Sequence, residues 1–133
     1  MDIEELRRVK LFEGYSESDL KKLARQFREV SHAAGDKIMM RGQGGVGFLM
    51  ILEGEVEIVT ADGRHRELGP GDHFGEMTLL DHERRSADVT AKSDLNCAII
   101  PEWGFEPFLA ENPKVAFRLL QTLSRRIRDA ENA

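Results

Sequence analysis

Cysteine occurs once in the 133 residues, at Cys97, so no internal disulfide forms. The apolar neighbours of Cys97 mark it as a small buried side chain rather than a reactive thiol. No apolar run comes near the roughly 20 residues needed to cross a bilayer. The opening Met1-Asp2-Ile3-Glu4-Glu5-Leu6 is acidic and lacks the apolar segment of a secretion signal, so cytoplasmic residence is the expectation. Positive charge is also short. With 19 Lys and Arg against 24 Asp and Glu, the net charge is -5, which argues against broad nucleic-acid affinity. The basic residues that do cluster, Arg118, Arg125, Arg126 and Arg128, sit near the end, where they complement the negative end of a helix dipole.

What is present is an ordinary globular balance, 41% hydrophobic and 32% charged, on a length that fits one domain with a real core. Three textures follow one another: a helical segment over 1–27, short strands over 28–100 and helices over 101–133. Asp2 to Lys10 reads as a short amphipathic helix ended or bent by Gly14. Ser16 caps a second helix in which Leu20, Leu23, Ala24 and Phe27 recur at helical spacing. The strand candidates are Val30 to Ala33, Lys37 to Arg41, Gly47 to Leu52, Glu55 to Thr60, Arg64 to Leu68, Ser86 to Thr90 and Leu95 to Ile100. Glycine-rich turns separate them, Asp62-Gly63 being the strongest hairpin signal, and Gly35-Asp36-Lys37 and Gly71-Asp72-His73 read as one corner used twice. Short strands at this spacing predict a small barrel or jelly roll. After Pro101, Trp103 to Glu111 predicts a short helix. Asn112-Pro113 then starts a longer one with an apolar stripe of Val115, Leu119, Leu120, Leu123 and Ile127.

The chemistry concentrates between Gly71 and Ala91. Gly75 lets main-chain amides approach a ligand, Glu76 adds a carboxylate, Met77 to Leu80 wind into a short helix, and Arg85 follows nine residues after Glu76. Amides at a helix start favour an anion, a guanidinium suits phosphate oxygens, and a neighbouring carboxylate accepts from sugar hydroxyls. Phe74-Gly75-Glu76-Met77-Thr78-Leu79-Leu80, followed by Arg85-Ser86-Ala87-Asp88-Val89, resembles the phosphate-binding cassette of cyclic nucleotide-binding domains, the superfamily of catabolite-activator-type regulators and protein kinase A regulatory subunits. The resemblance spans about Leu11 to Ile127. It implies a mainly β fold with flanking helices: a double-stranded β-helix, or jelly-roll-like β-roll, with N-terminal helices and a C-terminal lid helix.

Carried over by position, the resemblance gives Glu76 the ribose 2′-hydroxyl and Arg85 the cyclic phosphate. Phe74, Gly75, Met77, Thr78, Ser86 and Ala87 complete the cradle, and Arg126 of the lid helix faces Glu76 or the nucleotide. It implies cyclic AMP as ligand, with cyclic GMP as the alternative because Ser86 offers a hydroxyl to a guanine amino group. Arg84 stands where many members have proline, Asp88 where many have threonine, and Ala130-Glu131 where the regulators carry the Thr-Ser that reads adenine. The apolar Val56, Ile58 and Leu68 are candidate walls for sugar and base.

A sensor without catalysis is the expectation, since no nucleophile–base pair stands near the cassette. Cofactors and metals are not expected, direct DNA binding is not expected, and a homodimer or protein partner would use the terminal helices. One alternative is the sensor fragment of a catabolite-activator-type regulator. Another is a metal-dependent cupin using His65, His73, Glu76 and His82, although none of the four histidines stands in the His-x-His spacing a cupin requires. A third is a roll that has lost its ligand and serves for docking.

Overall fold

The computed structural model describes residues 1–42, 46–81 and 87–132. Among the described residues, eight strands make two antiparallel four-stranded sheets. The first has the order β1 (Arg28–His32), β8 (Leu95–Pro101), β3 (Gly47–Glu53), β6 (His73–Phe74). The second has the order β2 (Lys37–Met39), β7 (Ala87–Ala91), β4 (Val56–Thr60), β5 (His65–Leu68). Five helices flank them: α1 (Ile3–Arg7), α2 (Glu17–Ala24), α3 (Glu76–Asp81), α4 (Glu102–Glu111) and α5 (Pro113–Asn132).

Strand β3 shows how the layers stack. Side chains alternate along a strand, so Phe48, Met50 and Leu52 enter a core shared with the helices, while Leu49 and Ile51 enter the core between the two sheets. Phe105 and Phe108 of α4 join the helical core, and Cys97 lies in the inter-sheet core, where burial pushes its thiol up to about 12.

Several boundaries differ from the sequence expectation for identifiable reasons. The first helix stops at Arg7, and a 3-10 turn over Lys10–Phe12 follows, because the Lys10 amide donates to the Gly71 carbonyl at 3.1 Å instead of continuing the helix. The second helix ends at Ala24. Phe27 lies beyond it but still packs in the core, its ring 5.9 Å from Phe12 and 5.4 Å from Phe108. Strand β6 is not among the sequence expectations, since two residues carry no periodicity. It exists because His73 and Phe74 pair with Met50 and Leu49 of β3. On α5, Val115 and Leu119 are buried and Leu123 packs beside them, but Leu120 and Ile127 face solvent with Phe117.

The repeated corner is present in both copies. Gly35 and Gly71 have φ of 91° and 92°. In the first copy the Ala33 amide donates to Asp36 Oδ2 at 2.9 Å, and in the second the Gly69 amide donates to Asp72 Oδ2 at 3.0 Å. Gly35 and Asp36 exchange main-chain bonds with Ala91, as Gly71 and Asp72 do with Ile51.

The Gly71 copy carries an extra contact. A Cβ there would stand 2.4 Å from the Arg8 carbonyl oxygen, whereas one at Gly63, φ 82°, would meet nothing within 4 Å. We expect Gly71→Ala to cost about 1–3 kcal/mol, from the left-handed backbone together with the clash. Gly63→Ala should cost visibly less, and melting temperatures of the two variants measured side by side check the order.

Candidate functional site

A cavity of about 340 Å³ opens between the second sheet, the β6–α3 turn and α5. Its walls come from Met39 of β2, Ile58 and Thr60 of β4, Arg64, His65 and Arg66 at β5, Ala87 and Val89 of β7, the segment His73 to Thr78, and Arg126. The β3–β6 pairing presses His73 and Phe74 onto the first sheet, and Gly75, with φ of 99°, then turns the chain into α3. That turn aims the first side chain of α3, Glu76, inward, where it is 2% exposed.

Glu76 is held from two directions. Arg126 Nη1 donates to Oε1 at 2.9 Å, reaching across from α5, and His73 Nδ1 lies 3.5 Å from Oε2. Burial by itself would raise the Glu76 pKa. The His73 ring, the residue's own amide and Arg126 outweigh burial and hold the carboxyl below its ordinary value, so a charged carboxylate sits on the cavity floor. His73 is itself buried, and its Nδ1 has no well-directed hydrogen-bond partner among the described residues.

Of the residues singled out in the sequence, Phe74, Gly75, Glu76, Met77, Thr78, Ala87 and Arg126 all line this one cavity. Phe74 and Thr78 are buried, and Met77 is half-exposed. Arg85 and Ser86 lie outside the described residues, as do Arg84 and His82. Asp88 holds two strands together. It accepts from the Arg41 amide at 2.7 Å and pairs with the Arg41 guanidinium at 3.3 Å, tying β7 to the end of β2. Among the apolar candidates Ile58 lines the cavity, while Val56 and Leu68 belong to the inter-sheet core.

Met39, Thr60, Arg66 and Val89 line the cavity although sequence reasoning does not single them out, and it marks His73 only as a cupin ligand. Facing Ile58 across two strands is the signal for Val89 and Arg66, and it needs the register to be seen. Of the cupin pieces, His73 and Glu76 lie side by side at 3.5 Å, and His82 falls outside the described residues. His65 turns to Glu57 at 2.9 Å, and the described residues hold no group of three or more His, Cys, Asp or Glu placed to take a metal.

The cavity is tied to the amino-terminal segment. Lys10 Nζ pairs with Asp72 at 2.6 Å, and Arg118 of α5 donates to the Leu11 carbonyl at 2.9 Å and lies over the Tyr15 ring at 5.2 Å. Desolvation would raise the Asp72 pKa, but the bonds from Lys10 and the Gly69 amide hold it below its ordinary value. The 3-10 turn therefore bridges the corner before β6 and the helix that reaches Glu76.

Residues 29–112 match the cyclic nucleotide-binding domain family. Over 132 residues the chain is 28% identical to the CRP-like cAMP-activated global transcriptional regulator of Mycobacterium tuberculosis, covering 96% of this chain and 59% of that protein. Over 87 residues it is 39% identical to a cGMP-dependent protein kinase of Eimeria tenella, covering 65% of this chain and 9% of the kinase. The crystal structure of the Thermus thermophilus catabolite activator protein superposes with a TM-score of 0.81 at 29% identity, over 91% of this chain and 59% of that one. The β-roll with its carboxy-terminal helix is thus shared with catabolite activators, and the chain spans under two thirds of the length of such regulators. With more than half of its residues inside the family match and the fold in agreement, the chain belongs to the cyclic nucleotide-binding domain family.

Proposed function

We propose that the cavity binds a 3′,5′-cyclic purine nucleotide and that the chain is the sensing part of a regulator rather than an enzyme. The observation that carries this reading is the Glu76 carboxylate, buried and ionised at the floor of a 340 Å³ cavity and bridged to α5 by Arg126. An ionised buried carboxylate is a strong acceptor for a sugar hydroxyl. Arg85, two residues before Ala87 at the cavity rim, supplies the guanidinium for the cyclic phosphate, and Ser86 and the amides about Thr78 and Ala87 complete the cradle. Phe74, Gly75 and Met77 shape its mouth. Cyclic AMP is the ligand first expected from the cassette, and cyclic GMP shares every one of these contacts.

Regulation follows from the position of Arg126. It bonds the residue assigned to the sugar, so nucleotide entry changes what α5 can hold, and the ligand shifts an equilibrium between arrangements of α5 by its preference for the closed one. The contacts from α5 to Leu11 and from Lys10 to Asp72 link that change to the amino-terminal segment. Phe117, Leu120 and Ile127 form an exposed apolar row on α5, which suits it to pair with a second copy. The acidic balance of the chain, a net charge of -5, favours a sensing role over direct contact with DNA. Among the described residues no helix is long and apolar enough to cross a membrane.

A thermal-shift titration is the direct test, because a ligand held only by the native state stabilises it by about 2.7 kcal/mol at a hundredfold excess over Kd. No shift with either cyclic AMP or cyclic GMP overturns the reading. Arg85→Ala should cost roughly 2 kcal/mol of binding, measured by calorimetry, and near-unchanged affinity would count against the phosphate assignment. Arg126→Ala leaves Glu76 with only the His73 ring beside it. We expect weaker nucleotide binding and a loss of about 1–3 kcal/mol of stability, less than for a fully buried pair because Arg126 reaches solvent.

The pH dependence has a definite sign. Since the Glu76 pKa is lowered on folding, its ionised form contributes stability that is complete above the ordinary value of 4.5 and is lost as pH falls through the lower folded value. Melting temperature against pH should therefore decline less steeply in that acid window for Glu76→Gln than for the wild type.

A further inference from the structure

A second cavity, of about 470 Å³, is a groove between the 3-10 turn and α5. Among the described residues that line the two cavities, only His73 and Arg126 are shared. One wall of the groove is a single face of α5, since Arg118, Gln121 and Arg125 stand at i, i+3 and i+7. Lys10 and Glu13 line it from the amino-terminal segment, with Asp72 beside Lys10.

Four cations and two carboxylates therefore meet here, and they are not equally committed. Lys10 is paired with Asp72 at 2.6 Å, and Arg126 with Glu76 at 2.9 Å. Arg118 gives Nη1 to the Leu11 carbonyl at 2.9 Å, a neutral acceptor that leaves its charge unbalanced. Arg125 and Gln121 make no hydrogen bond or ion pair with any described residue. Once the two ion pairs cancel, Arg118 and Arg125 stand against Glu13 alone, and the groove is positive on a chain whose net charge is -5.

The spacing of the free donors selects the shape of an anion. Seven residues of α-helix rise about 10 Å. Two guanidinium forks set that far apart along one face suit the two ends of a linear phosphate chain better than a single phosphate, and the Gln121 amide lies between them to donate to its middle. We propose that this groove is a second anion site, one that takes a linear triphosphate group, carried either by inorganic triphosphate or by a nucleoside triphosphate. Arg118 and Arg125 hold the outer phosphates, and Lys10 adds positive charge from the facing wall. The bound anion fastens α5 to the 3-10 turn alongside the existing bond from Arg118 to Leu11. Whatever fills the first cavity, the groove keeps these donors.

Calorimetry in low-salt buffer free of divalent cations, with sodium triphosphate, orthophosphate and ATP as titrants, tests the site. One triphosphate should bind per chain, about tenfold or more tightly than orthophosphate, because two charge-assisted contacts replace one. Arg125→Ala should weaken triphosphate about tenfold and leave the ligand-free melting temperature unchanged, since Arg125 has no partner to lose. Two controls remove other guanidinium groups: Arg128→Ala on the same helix but outside the groove lining, and Arg85→Ala at the position assigned to the cyclic phosphate. Each should leave triphosphate binding within about threefold, as screening limits what a more distant charge contributes. The proposal is overturned if triphosphate does not bind, if orthophosphate binds as tightly, if Arg125→Ala leaves the affinity unchanged, or if Arg128→Ala costs as much as Arg125→Ala. It is overturned too if Arg85→Ala abolishes binding, which places the anion in the nucleotide cavity. ATP binding at least as tightly as inorganic triphosphate points to a nucleoside triphosphate as the carrier, and weaker ATP binding points to the free chain; both uphold the site.

Discussion

A carboxylate taken out of water has to be given partners, and Glu76 is the group on which the arrangement of this molecule turns. Its burial would favour the neutral acid; the His73 ring and Arg126 keep it charged. To supply those partners, β6 must lie against β3 so that His73 points inward, and α5 must pass near enough for Arg126 to reach 2.9 Å. The charge thus joins the first sheet, the cassette and the last helix in one contact. Removing one member of such a set leaves the other desolvated and unmatched, so the position of α5 is coupled to the electrostatics of the cavity.

The same coupling runs backward along the chain. The 3-10 turn gives up helical continuation for a bond from Lys10 to the Gly71 carbonyl, and the Lys10 side chain then holds Asp72. Asp72 is also the residue that closes the corner before β6 through the Gly69 amide. Because Arg118 of α5 binds the Leu11 carbonyl, the amino-terminal turn touches both ends of the machinery around Glu76. Two contacts thus tie the 3-10 turn to the surroundings of Glu76, one through Arg118 on the helix that carries Arg126 and one through Asp72 beside His73.

The cavity walls differ in origin: the segment His73 to Thr78 is one continuous stretch of chain, whereas β7, β4 and β5 come from separate parts of the sequence. Relatives named for cyclic AMP and for cyclic GMP both resemble this chain.

How legible this was in the sequence depends on how local each feature is. The corners at Gly35 and Gly71, the Ser16 cap and the Asp62-Gly63 hairpin are set by side chains within a few residues of one another, and the order of amino acids by itself determined them. Strand β6, the early end of the first helix, the outward turn of Leu120 and Ile127, and the place of Arg66 in the cavity wall were decided only by the tertiary structure. The clearest cases depend on a partner outside the local segment: Met50 for His73, Gly71 for Lys10, Ile58 for Arg66. Local dihedral preferences and periodicity carry no information about such partners, because a hydrogen bond or a strand register between distant segments exists only once both have been packed into the same core.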